Sequence, residues 1–536
     1  MTKTISVIGL GKLGAPMAAC FATRGFGVLG VDQDARKVEV MNHAIPPVFE
    51  PRLDELLRES KGRFLATRDV EAAVLDTEVT FIVVATPSEP GGGFSLRYAL
   101  PACESIGRAL RAKTDFHLVC LTSTVMPGTT GGPIRSVLEE ASGKRCGTDF
   151  GLCYSPEFIA LGSVIRDFLN PDFCLIGESD PRSGDILEAL YKRTWENNPA
   201  VARMNFVNAE IAKLAVNTYV TTKISFANML ARVCEKLPGA NVDTVTAALG
   251  LDSRIGPKYL KGAVSYGGPC FPRDNLAFAA LARQIGAPAD IAQVTDRFNR
   301  SQLVWLADVV ERQIPDGGTV GILGLTYKPN TDVVEEAPGL LLAHELASRG
   351  VRVTAYDTAG SKNATQVLDG KVSLAATASE CIQKSDVVVV ATPWQEFQTI
   401  PVERWARQYP PRTVIDCWRV LKDLAACDGV QYLGLGMGNT LGAEAKESVL
   451  RWMMAVCPVK GLGVAKMVIT SGALIPWVTH WVPRPRNQCS ASDHHLRHSQ
   501  TLYRAHCHHP AQRHHQLDSV APSAGDRTRR GRPRRG

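Results

Sequence analysis

Long uninterrupted apolar runs are missing from this 536-residue chain. No stretch of about 18 such residues occurs, so no transmembrane helix is expected. Residues 464–482 come nearest, and they carry Lys466, Pro476 and His480. The 14 cysteines include no CxxC pair and no regular spacing. That argues against a disulfide framework and points to reduced thiols in a cytoplasmic protein. A signal peptide is not expected, because glycines interrupt the apolar residues at the N-terminus. An excess of charge is absent from most of the chain. The formal +7 arises in residues 483–536, where 11 arginines face three acids, a net +8 that leaves −1 on the first 482 residues. Bulk attraction to phosphate backbones is thereby excluded as the driving force of the body. What is present is ordinary for a globular protein: 45% hydrophobic and 21% charged residues. The length suggests about three or four domains.

A β-branched run at 4–8 ends in Gly9, and a helical stretch follows from Leu13 to Arg24. A second apolar run, 28–31, ends at Asp32, and another, 79–85, ends in Thr86-Pro87. Strands alternating with helices predict a parallel sheet covered on both faces. The pattern returns at 319–324, 351–357 and 387–391, and Val-Val-Ala-Thr-Pro at 389–393 repeats 83–87. Between the two copies, no Gly or Pro interrupts the chain from 208 to 237. Asn208 is the expected N-cap of a helix of nearly thirty residues, with Glu210 in its first turn. Residues 254–275, rich in Gly and Pro, read as a functional loop, and helical patterning resumes over 275–314. The expected fold is therefore α/β: two Rossmann-like doubly wound domains joined by a central long-helix domain. The expected divisions are 1–205 for cofactor binding, 206–315 for the central domain, 316–440 for the second nucleotide-binding domain, and an atypical basic, His/Arg-rich tail at 441–536. The Arg, His, Pro, Ser and Ala of residues 483–536 predict disorder.

Gly9-Leu10-Gly11-Lys12-Leu13-Gly14 fits GxGxxG between a strand and a helix, and Asp32 follows 18 residues later. Gly9 permits the tight turn, Gly11 lets the backbone approach a pyrophosphate, and Gly14 lets helix and strand pack closely. Asp32 suits ribose hydroxyls and repels a 2′-phosphate, which favours NAD over NADP. A glycine-rich turn bound to nothing is the bland alternative. Cys270 lies in Tyr266-Gly267-Gly268-Pro269-Cys270-Phe271-Pro272-Arg273-Asp274. One cysteine among 14 is ordinarily a small buried hydrophobe. Here Gly and Pro on both sides imply an ordered loop, Arg273 would favour a thiolate, and Asp274 would handle protons or position a water. Lys213 and Asn217 are four apart and share a helix face. Their apolar neighbours imply partial burial, which lowers a lysine pKa and suits it to act as a base or oxyanion partner.

In combination these motifs resemble the UDP-glucose/GDP-mannose dehydrogenase family. The resemblance covers residues 1 to about 438: GLGKLG at 9–14, ATP at 85–87, STV at 123–125, SPEF at 155–158, KLAVN at 213–217, RIGPKYLKG at 254–262, GGPCFPRD at 267–274 and YKPNTD at 327–332, in the family's order. It implies NAD-dependent four-electron oxidation of a nucleotide sugar's primary alcohol to the carboxylate, most simply UDP-glucose to UDP-glucuronate. UDP-N-acetylmannosamine, UDP-N-acetylglucosamine and GDP-mannose remain alternatives. Cys270 matches the nucleophile, Asp274 the acid that works with a water as base, and Lys213 and Asn217 the oxyanion pair. Thr124 and Glu157 match residues around the catalytic water and thioester hydrolysis. Lys37, Thr86 and Thr124 join the glycine loop and Asp32 in the cofactor set. Arg254, Lys261, Tyr266, Gly267 and Lys328 join Glu157, Lys213 and Asn217 in the substrate set, with Arg254 reaching across a homodimer. No metal, no membrane and no specific nucleic acid are implied. The chain departs from the family pattern at Leu161, where many members carry a second glutamate, and at Glu335, where many carry an arginine that meets the cofactor. Arg419, in Asp416-Cys-Trp-Arg, stands near the place of a substrate arginine. These departures motivate a competing reading, a weakly catalytic NAD-binding or sensing protein. The basic tail motivates another, a nucleic-acid binder. The tail's eight histidines, with Cys489 and Cys507, match no zinc spacing and read as compositional bias. The abrupt change after about residue 440 also suggests a shifted reading frame in the coding DNA.

Overall fold

The computed structural model describes residues 3–438. The tail from 439 onward, with its histidines and arginines, lies outside the described residues. Two sheets are present. The first has eight strands: β1 (Thr4–Ile8), β2 (Gly27–Val31), β3 (Phe64–Thr67), β4 (Val79–Ile82), β5 (Leu118–Leu121), β6 (Gly151–Tyr154), β7 (Phe173–Glu178) and β8 (Ala200–Met204). Their order is β3-β2-β1-β4-β5-β6-β7-β8. All neighbours are parallel except β6 and β7. The second sheet has six strands: β9 (Thr319–Leu323), β10 (Arg352–Tyr356), β11 (Ser373–Leu374), β12 (Val387–Val390), β13 (Arg412–Asp416) and β14 (Val430–Gly434). Its order, β11-β10-β9-β12-β13-β14, repeats the first sheet's arrangement around its opening strand.

Burial on both faces explains why the central strands read as solid apolar runs rather than alternating ones. Every residue of β4, β5, β6 and β12 is buried. Each sheet separates two cores. Phe21, Phe81 and Phe168 pack on one face of the first sheet, and Ile106, Phe150 and Leu152 on the other.

The connector is a 30-residue helix, Phe206–Glu235. Its N-cap is Asn205, not Asn208: the Asn205 side chain accepts the Asn208 backbone N–H at 3.0 Å. Glu210, expected as an acidic residue in the first turn, is fully buried. The helical stretch expected over 275–314 is two helices, Phe271–Gln284 and Asp290–Glu311. Gly286, with φ +71°, and Pro288 break it. The first of the pair begins directly after Cys270, so the cysteine sits at a helix N-terminus rather than in mid-loop.

Near its C-terminal end the helix meets the second sheet. Glu235 accepts the Gly436 N–H at 2.8 Å, and Val242 N donates to Gly436 O at 2.9 Å. Arg419 locks the same junction. Its five N–H donors go to both carboxylate oxygens of Asp243 and to the carbonyls of Cys417, Leu435 and Gly262. Arginine has no sixth donor. The substrate role left open for Arg419 is thus corrected: here it is a fully buried tie between the central and second nucleotide-binding domains.

Candidate active site

The glycine loop follows β1 as expected. Gly9 has φ +101°, and a Cβ there would stand 2.4 Å from Val83 O. A Cβ on Gly14 would stand 1.8 Å from Gly9 O, whereas one on Gly11 would meet nothing within 4 Å. Gly9 and Gly14 are therefore required by packing, and Gly11 leaves backbone open to a ligand. Lys12 is exposed beside it. Asp32, at the end of β2, accepts the Leu10 N–H at 2.9 Å and lies 3.2 Å from the Lys37 ammonium. Loop, helix start and carboxylate fit the adenosine diphosphate half of NAD. An alanine at Gly14 must push the helix off the turn, and overpacking of this kind costs about 1–3 kcal/mol. Gly14→Ala is expected to weaken NAD binding by about 5- to 150-fold; calorimetry showing wild-type affinity would disprove this role for the loop.

The second sheet carries the same turn. Gly324 also has φ +101°, and a Cβ on Gly339 would stand 1.9 Å from Gly324 O. Fifteen residues separate these glycines instead of five, and the insertion holds YKPNTD. Asp357, the counterpart of Asp32, is 2% exposed. It accepts bonds from Leu325 N, Thr326 N, Thr326 Oγ1, Trp394 Nε1, Ala359 N and Gly360 N. That acid is consumed internally, so Asp357 is not free to hold a ribose as Asp32 is placed to do.

Four elements meet between the sheets. The central helix presents Lys213 and Asn217, both 7% exposed. Asn217 Nδ2 donates to Asp274 Oδ2 at 2.6 Å, and Arg273 Nε lies 3.3 Å from Asp274 Oδ1. Lys213 Nζ donates to the Glu157 carbonyl at 2.5 Å and lies 4.4 Å from the Phe158 ring centroid. Burial lowers the Lys213 pKa, while the charges of Asp274, Cys270 and Glu157 raise it. Burial pushes the Glu157 carboxyl up to about 7, opposed by Lys213. Arg273 spans to the cofactor side, donating to Thr86 O at 3.2 Å and lying over Phe94. The Thr86 hydroxyl in turn donates to Thr124 O at 2.7 Å. Thr86 and Thr124 thereby join the glycine-loop domain to the cysteine helix.

Cys270 is exposed at the surface yet ringed by protein. Burial and then Asp274 push its thiol up, and Lys213 and Arg273 oppose this without reversing it. Arg273 acts to favour the thiolate, as expected, but it also lies 3.3 Å from Asp274, whose charge acts the other way. Glu335 adds negative charge near the thiol, and its carbonyl accepts the Gly268 N–H at 3.0 Å.

Two asparagines missed by the motif reading shape the approach to Cys270. Asn228 takes the Ala263 N–H and gives to Val264 O, and Asn299 does the same for both backbone groups of Tyr266. Side-chain amides that mimic a strand partner leave no periodic signal in sequence. Tyr266 is buried, edge-on to Phe271. Gly267 packs so tightly that a Cβ would stand 2.0 Å from Glu336 O. Lys328 is half-buried and faces Asp167 and Glu50. Lys261 is exposed and near Asp243. Arg254 is not brought to the cysteine cluster by its polar contacts: it is 87% exposed and pairs with Asp252 at 2.6 Å.

Fold and site define a dinucleotide-dependent dehydrogenase with a cysteine at the junction of two nucleotide-binding domains. Three domain models of one family match the chain: the UDP-glucose/GDP-mannose dehydrogenase NAD binding domain at 3–195, the central domain at 207–301 and the UDP binding domain at 321–423. The UDP-glucose 6-dehydrogenase AglM of Haloferax volcanii is 36% identical over 421 residues, covering 78% of this chain and 97% of that protein. A GDP-mannose 6-dehydrogenase of Pseudomonas aeruginosa is 34% identical, covering 66% of this chain and 80% of its own length. The solved UDP-glucose dehydrogenase of Pyrobaculum islandicum superposes with a TM-score of 0.74 at 34% identity, over 82% of this chain and 98% of that one. The chain belongs to the UDP-glucose/GDP-mannose dehydrogenase family and is an NAD-dependent nucleotide-sugar dehydrogenase. Among the described residues no helix is long and apolar enough to cross a membrane.

Proposed function

We propose that the chain oxidises the primary alcohol of UDP-glucose to the carboxylate of UDP-glucuronate, through a covalent adduct on Cys270. The observation that carries this is the convergence of Cys270, Asp274, Asn217, Lys213 and Glu157 from three separate segments. NAD, held by the loop of Gly9, Gly11 and Gly14 and by Asp32, would supply the hydride acceptor for each of the two oxidations. The residues supply everything else. Asp274, bonded to Asn217, takes the proton from the alcohol through a water. Cys270 captures the aldehyde as a thiohemiacetal, and the second oxidation leaves a thioester. Lys213 and the free N–H of Asn217 stabilise the oxyanion at each tetrahedral stage. Glu157, with its raised pKa, and Thr124 activate the water that hydrolyses the thioester. The UDP-glucose assignment leans on AglM, whose length this chain covers almost fully, over the GDP-mannose enzyme, which is matched over a shorter span. Lys328 and Lys261 are assigned to the diphosphate and sugar, with Tyr266 and Gly267 shaping that wall. The functional division is 1–205 for cofactor, 206–315 for chemistry and 316–440 for the nucleotide sugar.

NADH formation at 340 nm with a panel of nucleotide sugars tests the reading. Two NADH per UDP-glucose is expected. Preference for UDP-N-acetylmannosamine, UDP-N-acetylglucosamine or GDP-mannose would replace the substrate, and no turnover despite NAD binding would leave the sensing alternative.

We also propose a homodimer and a cytoplasmic location. Tyr219, Phe226 and Val233 recur at seven-residue intervals as exposed apolar side chains on the central helix, opposite the face that buries Lys213. A stripe of this kind marks an interaction surface. Phe226→Arg is expected to turn the dimer into monomer in sedimentation velocity, and a retained dimer would place the interface elsewhere. Arg254, exposed on a neighbouring loop, then has a partner subunit's site within its reach. The cytoplasmic location is supported by 11 cysteines that form no disulfide among the described residues.

A further inference from the structure

Glu210 is a fully buried carboxylate that the reaction scheme does not use. Oε2 accepts the Gly128 N–H at 2.6 Å and Oε1 accepts the Thr130 N–H at 2.7 Å. Those N–H groups open the short helical turn Thr130–Ile134, whose own N-cap, Thr129, makes no side-chain cap bond. Helix starts leave such donors without internal partners. Here a residue 80 positions along the chain supplies what a local Ser or Asp ordinarily does. The capped segment runs back through Pro127 and Met126 to Thr124.

Glu210, Lys213 and Asn217 are spaced three and four apart, so they lie on one face of the central helix. Each grips a different segment: Glu210 the backbone at 128–130, Lys213 the carbonyl of Glu157, Asn217 the carboxylate of Asp274. One rigid helix face thus sets three loops in mutual register. We infer that Glu210 is a positioning residue, which fixes Thr124 relative to Lys213 and Asn217 by holding the far end of the 124–130 loop. The inference rests on the reading of Thr124 as a residue of the cofactor side.

The test is a double-mutant cycle in the full chain, with Glu210→Gln, Thr124→Ala and both together. Glutamine keeps one acceptor and turns an N–H₂ toward a backbone N–H, so one of the two bonds is lost. Loss of a buried bond to a charged group predicts about a 10-fold rise in NAD Kd, measured by calorimetry without sugar. The same variant is expected to lower kcat while leaving the KM for UDP-glucose within about twofold. Residues acting as a unit are non-additive, so the double variant should be no worse than the weaker-binding single within about twofold. Glu210→Asp, which keeps both oxygens, should recover part of the affinity; if Glu210→Gln fails to fold, the cycle is run with Asp. Fully multiplicative effects, or a lower Tm with unchanged NAD Kd and kcat, would overturn the inference. Wild-type NAD binding with no turnover on any sugar would sink the substrate reading while the cycle still decides on Glu210. Absence of wild-type NAD binding would end both.

Discussion

Replacing Cys270 by alanine is expected to lower uronate formation by about 10⁴-fold or more, the scale on which loss of a covalent nucleophile is felt. No other described cysteine can take its place. Nine of the remaining ten are buried, and Cys427 is half-buried on the second nucleotide-binding domain. Burial drives the thiols of Cys20, Cys120, Cys153 and Cys417 upward, away from the nucleophilic form. Cys270 alone is exposed, at a helix start, with Lys213 and Arg273 acting to favour its charge. The measurement is uronate and NADH per sugar consumed. A variant that still produced two NADH per sugar at a tenth of the wild-type rate would rule out the covalent route. Cys270→Ser, which keeps a hydroxyl of higher pKa, should be nearly as impaired for the second oxidation.

Lys213→Met is expected to cost about 10²- to 10³-fold in kcat, the range for one lost oxyanion donor. Methionine has nearly the length of lysine and retains a favourable contact with the Phe158 ring, so the cavity term stays small. A second effect separates charge from packing. Lys213 opposes the rise in the Glu157 pKa, so removing it raises that pKa further above about 7. If Glu157 must be ionised to activate water, activity is lost as pH falls through its pKa. The wild-type acidic limb should therefore lie near pH 7, and the variant's limb should move to higher pH. A kcat within tenfold of wild type, or an acidic limb that does not move, would remove Lys213 from the oxyanion role and Glu157 from the base role respectively.

Parts of this protein that rest on local backbone demands were legible in the sequence. Gly9 and Gly14 were readable because a turn at φ +101° and a helix start against its carbonyl admit no Cβ, a constraint visible in six residues. The second copy of that turn was readable from β-branched runs ending in glycine and from a shared pentapeptide. The 30-residue helix was readable because nothing along it breaks a helix, though its cap lay three residues earlier than Asn208. Asn205 and Asn208 are equally good caps in isolation, and only the arriving strand β8 decides between them.

Other assignments depended on partners far along the chain. Asp32 and Asp357 end equivalent strands, yet Asp32 accepts from only two backbone N–H groups and Lys37, whereas Asp357 is saturated by six donors of its own domain. The groups that cause this, Thr326 and Trp394 among them, lie 31 and 37 residues away and give no local sign of what they do to Asp357. Arg419 stood where a substrate ligand was conceivable, but Asp243, 176 residues earlier, claims it. Glu210 looked like a first-turn helix charge, and its true partners are backbone groups 80 residues away. By itself the sequence determined the two nucleotide-binding domains, the connecting helix and the candidate chemical groups, because periodicity and backbone sterics act over a few residues. Only the tertiary structure decided which charges are spent on the fold and which face the cleft. Hydrogen bonds and burial are settled by neighbours in space, and sequence spacing carries no record of them.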